Sequence, residues 1–326
     1  MAEPGSATAK AKSRATGLVR IGVSIAILAL IFSIAPVGDL IARMKQISPA
    51  LWLAVFGGFV AGHGLSAAKW RWMIGGAVSY PRALKAHFAG LAANLALPGV
   101  AGGDLVRAGL VMKGSGRKTA LAVGSLADRL IDTASLVVIA ALGAFWLGAR
   151  AGVHPMGLAV TAALTVGAGV AAIFLLKRIA RLLRKFAPSG RSGGVVNDVA
   201  DAAEEMSARP GALIGCAAIS ISVQLAFAVM NALIAADIGA GTSIAAWVFA
   251  WPLAKLVATL PISFGGIGVR EASIAGLLTP LGYETAGVVA ASLVWQSIQL
   301  ATGGLGAVAQ LINHERKGAP AEAGNG

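Results

Sequence analysis

Arg107 and Arg270 each end a copy of the same pattern. Residues 97–107 read LPGVAGGDLVR and residues 260–270 read LPISFGGIGVR, so both fit L-P-x-x-x-G-G-x-x-V-R. The copies start at Leu97 and Leu260, an offset of 163 residues that halves a chain of 326. Each residue type has a physical use. Pro98 and Pro261 cannot continue a helix. Gly102-Gly103 and Gly265-Gly266 permit a tight reversal and close backbone approach. A helix restarting after the reversal carries unpaired N–H groups and the positive end of its dipole, which favour an anion. Arg107 and Arg270 are expected in or near that first turn, and a guanidinium holds phosphate through a two-pronged hydrogen bond. The chemistry composed by these residues is anion binding.

Neighbouring charges offer a second use for each arginine. Asp104 stands three residues before Arg107 on the same helical face, at the expected N-cap, where it competes with an incoming anion. Glu271 adjoins Arg270. Either arginine can therefore serve in a structural ion pair. Asp128 and Asp132 share a face four residues apart, with Arg129 beside them. They read as a proton or cation relay, as counter-ions for the arginines, or as an ion cluster at a helix entrance. Lys255, within an apolar segment, either lines a cavity or snorkels to the interface. Trp295, Gln296 and Gln299 form a polar stripe on the last apolar run, of the kind that joins membrane helices, and Gly58-x-x-x-Gly62 fits close helix packing.

Other chemistries lack their residues. The one cysteine, Cys216, excludes an intramolecular disulfide and a cysteine-based metal site. His63, His87, His154 and His314 are scattered, without metal-ligand spacing. KGSGRKT at 113–119 places Arg117 where a nucleotide loop needs its second glycine. Gly304-Leu305-Gly306 with Ala309 lies in an apolar run with no preceding strand. No Ser-His-Asp or paired-carboxylate set stands out. The expectation is a protein without catalytic residues, cofactor or metal.

Such charges need a scaffold away from bulk water, and the composition supplies it. Hydrophobic residues make up 57% of the chain, charged residues 13%, and the mean hydropathy is +0.78, whereas a soluble domain is about 25% charged. The expected fold class is all-α, a polytopic transmembrane helical bundle. Apolar runs of about the 20 residues that cross a bilayer cover 21–37, 50–68, 120–149, 155–176, 211–236 and 286–312. The first is read as an uncleaved helix, because Pro36 would follow a cut after Ser33-Ile34-Ala35. The motif copies lie in two further apolar stretches, 83–112 and 245–281, interrupted by Pro and Gly.

If both interrupted stretches dip in and return, the basic loops fall on one side with both termini. Lys69, Arg71, Arg82, Lys85, Lys113, Arg117, Lys118 and the segment from Lys177 to Arg191 belong there; Arg43, Lys45 and Arg150 face the other side. The positive-inside rule makes the richer side cytoplasmic. It also accounts for the net charge of +13 without nucleic acid, which would need a phosphate-tracking surface. The result is six crossings and two re-entrant hairpins in an inverted repeat. Its parts are a basic tail (1–17), a membrane domain (18–312) holding repeat one (50–149), a cytoplasmic connector (177–210) and repeat two (211–312), and a tail (313–326). In the connector, residues 195–208 form an amphipathic helix with Asp198, Asp201, Glu204 and Glu205 on one side. Inverted repeats with broken helices bind substrate where the broken segments meet.

The stretches LPGVAGGDLVRA, ADRLIDTASLV and LPISFGGIGVREA resemble the membrane region of lysylphosphatidylglycerol synthetases, the flippase-like domain family. The resemblance covers about 17–312. In two-part members a membrane domain moves an aminoacylated phosphatidylglycerol and a cytoplasmic domain makes it. The resemblance implies this fold, a bacterial cytoplasmic-membrane location and lipid translocation. It places Arg107, Arg270, Glu271, Asp104, Asp128 and Arg129 on recurring motif positions. The chain ends at Gly326, so the transferase activity is not expected. Stand-alone relatives near hopanoid, glycolipid or polyprenyl-linked pathways leave the lipid open. The function expected is movement of an anionic or phosphate-bearing lipid. The alternatives are a non-catalytic membrane partner of a separate lipid-modifying enzyme, and a membrane lipid transferase.

Overall fold

A computed structural model describes residues 35–96, 101–113, 115–148, 191–260 and 266–318, together with Ser263 and scattered positions in 22–33 and 156–185. The protein is all-helical among the described residues. Its helices are α1 (Val37–Met44), α2 (Pro49–Met73), α3 (Tyr80–Ala96), α4 (Ala101–Met112), α5 (Lys118–Leu147), α6 (Arg191–Ser207), α7 (Pro210–Asp237), α8 (Ile244–Ala258), α9 (Val269–Leu278) and α10 (Thr285–Gly318). Local sequence sets several boundaries. Pro49 and Pro210 open α2 and α7 at positions whose N–H would be unpaired anyway. Ser243 caps α8, its Oγ accepting from the Ala246 N–H at 3.2 Å.

Four helices, α2, α5, α7 and α10 as far as Leu311, are long and apolar enough to cross a membrane. Leu105, Leu130, Phe145, Trp146, Ile214 and Leu311 point outward, each more than three-fifths exposed. In water this surface would be a large adhesive patch; in lipid it is the ordinary exterior. The protein is membrane-embedded. Most of the expected crossing at 155–176 and parts of that at 21–37 lie outside the described residues, as do the tail 1–17 and Arg150. After Pro36 comes α1, a short helix that the apolar-run count did not anticipate.

Two halves share one order: a long helix, two short helices, a long helix. In the first half these are α2, α3, α4 and α5; in the second, α7, α8, α9 and α10. Corresponding helices run antiparallel. The Ser48 N–H before α2 donates to Asp237 at the end of α7, 2.6 Å. At the far ends, Gly75 after α2 lies against Arg209 before α7. The short pairs each return to the end they leave. Arg82 near the start of α3 donates to the Lys113 carbonyl after α4, 3.1 Å. Ser243 before α8 meets Tyr283 after α9, 3.0 Å, at the opposite end.

The halves interlock by exchange. The first arm of each short pair packs along the last helix of the other half: α8 on α5, and α3 on α10. A glycine makes each seam close. A Cβ on Gly143 of α5 would sit 2.3 Å from the Phe249 nitrogen of α8, and one on Gly306 of α10 would sit 2.4 Å from the Phe88 oxygen of α3. Gly143 and Gly306 are themselves 163 residues apart, the same offset as the motif copies. Phe59, Phe227, Trp251 and Trp295 fill the middle with ring centroids 4.9 to 6.1 Å apart. The connector helix α6 lies against α5, with Ala200, Ala202 and Ala203 buried and Arg184 paired to Asp201 and Glu204 at 2.5 and 2.7 Å.

Candidate functional site

The short helices and the long ones enclose a cavity of about 210 Å³ between the halves. At a water's share of about 30 Å³, it holds a phosphate-sized group with a few waters. Arg107 and Arg270 both line it, and both are about nineteen-twentieths buried. The two copies of the motif thus deliver their guanidinium groups to one space. Asp104, Asp128 and Arg129 line it as well.

On the first-half side the charges form a chain. Asp128 on α5 accepts from Arg107 at 3.2 Å and pairs with Lys69 of α2 at 3.0 Å. Lys69 also pairs with Asp132, which accepts a hydrogen bond from Ser220 of α7. Asp104 lies 3.5 Å from Arg107 and 3.3 Å from Arg129. The Arg107 guanidinium stacks over the Trp70 ring at 4.5 Å and reaches Nδ1 of His87 at 3.3 Å; His87 Nε2 meets His63 Nδ1 at 3.0 Å. Buried charges persist only when paired and hydrogen-bonded in this way.

On the second-half side the partners are mostly neutral. Arg270 donates to Gln299 at 2.7 Å, to Gln296, and to Glu271 at 3.1 Å. The Nε atoms of both Arg107 and Arg270 are buried with no hydrogen-bond partner. Glu271 is wholly buried behind Arg270, accepting from the Gly268 N–H at 2.7 Å and from Ser292 at 3.0 Å. Lys255 of α8 lines the cavity, donates to Gln224 of α7 at 2.7 Å, and stands over the Trp251 ring at 5.0 Å.

Several expected placements change. α4 begins at Ala101, so Gly102 and Gly103 lie inside its first turn rather than in the reversal, and Asp104 is a first-turn residue rather than the N-cap. Arg107 consequently falls in the second turn, while Arg270 does sit in the first turn of α9. Gly103 instead brings α4 onto α3: a Cβ there would meet the Gly90 oxygen at 2.3 Å, and its N–H donates to Asn94 at 2.8 Å. Gly266 serves a turn, with φ +76° and Ala258 beneath it. The Gly268 amide at the start of α9 is taken by Glu271. Gly102, Gly103, Gly266 and Glu271 shape the walls without lining the cavity. Pro98, Pro261 and Gly265 lie outside the described residues.

Lys69 is the largest revision. As a residue flanking an apolar run it reads as a loop charge, yet α2 continues to Met73 and Lys69 is 1% exposed. His63, His87 and Gln224 also reach the cavity unforeseen. Their signal was available: each is a polar residue within or facing an apolar span, where polarity is costly and marks function or a partner.

No curated protein matches the sequence. The family described as Lysylphosphatidylglycerol synthase TM region matches residues 17–306, spanning both motif copies and every residue that lines the cavity. The chain belongs to the lysylphosphatidylglycerol synthase transmembrane-region family.

Proposed function

We propose that the protein carries an anionic, phosphate-bearing lipid headgroup across the bilayer through the central cavity. The observation behind this is the convergence of Arg107 and Arg270, one from each motif copy, on one buried space. Buried guanidinium groups reserve hydrogen-bond capacity for oxyanions, and both Nε donors are unused. The antiparallel halves support an inverted repeat, whose two states would open the same site to opposite faces.

The cavity also has an apolar edge. Leu95 of α3 and Leu300 of α10 line it and are 42% and 44% exposed. A headgroup can therefore enter sideways past Leu95 and Leu300 while its acyl chains remain in lipid. The basic end, with Arg82, Lys113 and Arg117, is assigned to the cytoplasm by the positive-inside rule, with both termini on that side of a bacterial cytoplasmic membrane. No covalent step on the lipid is part of the proposal.

The test is transbilayer movement of a fluorescent anionic lipid in liposomes containing the purified protein. The expected result is faster movement than in empty liposomes, reduced at least about tenfold by Arg270→Ala, which removes charge-assisted hydrogen bonds. Equal rates for wild type, variant and empty liposomes would reject the proposal.

A further inference from the structure

The charges around the cavity do not cancel, and the excess has an address. Five cations border it or pair directly with its wall: Lys69, Arg107, Arg129, Lys255 and Arg270. Four carboxylates answer them: Asp104, Asp128, Asp132 and Glu271. Leaving the two imidazoles aside, the formal sum is one positive charge. Every one of these cations except Lys255 has a carboxylate within 3.5 Å. Among the described residues Lys255 has none. Its ammonium donates to the Gln224 side chain at 2.7 Å and stands over the rings of Trp251 and Phe227 at 5.0 and 5.9 Å.

An amide oxygen and two ring faces stabilise an ammonium only in part. An ammonium has three N–H bonds, and the carbonyl oxygen of Gln224 takes one. Lys255 is half-buried, and enclosing a charge without a counter-charge is costly. A cavity lined by Arg270 and by a cation with no carboxylate in ion-pair reach is therefore built for a guest with one net negative charge.

We infer that Lys255 is the charge-selecting residue of this cavity, and that the ligand is a phosphate oxyanion carrying a single net negative charge. This rests on the proposed binding of a phosphate-bearing headgroup, and it narrows the class. A phosphodiester such as phosphatidylglycerol satisfies it. A zwitterionic headgroup leaves Lys255 unmatched. An aminoacylated phosphatidylglycerol, with one net positive charge, adds a cation to a surplus cation. The phosphate sits within reach of Lys255 as well as of Arg107 and Arg270, and the four carboxylates stay with their existing partners.

Binding decides the inference, separately from transport. Full-length protein in detergent is titrated with short-chain phosphatidylglycerol, phosphatidylethanolamine, lysyl-phosphatidylglycerol and inorganic phosphate, with retention read by native mass spectrometry. Phosphatidylglycerol is expected to bind at least about tenfold more tightly than the zwitterionic and cationic lipids. Lys255→Gln is expected to remove that preference, and Lys255→Arg, which keeps the charge, to retain it. If inorganic phosphate binds as tightly as phosphatidylglycerol and loses affinity in Lys255→Gln, the selecting role stands and the ligand is the free anion. Preference for the cationic or zwitterionic lipid in the wild type overturns the inference. So does an unchanged preference in a Lys255→Gln protein that melts like wild type. Selective binding without movement in liposomes removes the transport reading and leaves this one intact.

Discussion

At the residue scale, the protein holds an ion network where lipid would otherwise exclude it. Asp128 is central: it is 2% exposed and shared between Lys69 and Arg107. Removing one partner from a buried network leaves the others uncompensated, at a cost of about 3–5 kcal/mol. Asp128→Asn should therefore lower the melting temperature in detergent markedly, read by intrinsic fluorescence. Adding Lys69→Met to Asp128→Asn should cost less than Lys69→Met costs alone, because Lys69 then answers only Asp132. A double variant as unstable as the sum of the singles would show that the two residues do not share one network. Arg107 and Arg270 stood out from spacing alone, since a repeated arginine in an apolar stretch is conspicuous. Lys69 did not, because a lysine at the edge of an apolar run looks the same whether the helix ends before it or carries it inward. Only the partners on α5 distinguish the two, and they are about 60 residues away in the chain.

At the element scale, close seams between α5 and α8 and between α3 and α10 hold the short pairs in place. Gly143→Ala and Gly306→Ala should each force their seam apart, costing about 1–3 kcal/mol for an overpacked contact, with similar losses because the positions correspond. Thermal melting of each variant checks this; an unchanged melting temperature in either would mean that the seam yields freely. Leu95→Trp should obstruct the apolar edge of the cavity. The expected outcome is slower lipid movement in liposomes with headgroup binding preserved. The long helices and the interrupted stretches were legible as apolar runs of different lengths, and the four glycines of the motif were legible as special. What each glycine does was not. Gly103 makes a helix crossing and Gly266 a turn, because α4 starts before its Gly-Gly pair and α9 after it. Where a helix restarts depends on capping and packing partners, which the repeated pattern alone does not encode.

At the scale of the whole molecule, two halves with one helix order are the organising feature. The 163-residue offset, read from one motif, reappears in the order of helices and in paired seam glycines, with corresponding helices antiparallel. Two halves that interlock by exchanging short pairs leave a space between them that neither half could enclose alone. Charges from both halves face that space, and its apolar edge faces lipid. The exchange of arms was not readable from sequence, since nothing local states which long helix a short one will meet.

The central claim is that Arg107 and Arg270 jointly hold the phosphate of a lipid headgroup. The most direct measurement is an electron cryomicroscopy structure of the protein in nanodiscs containing phosphatidylglycerol. The account predicts headgroup density within hydrogen-bonding distance of both guanidinium groups, with acyl chains leaving past Leu95 and Leu300. A well-resolved cavity holding only water, with lipid confined to the outer surface, would contradict it.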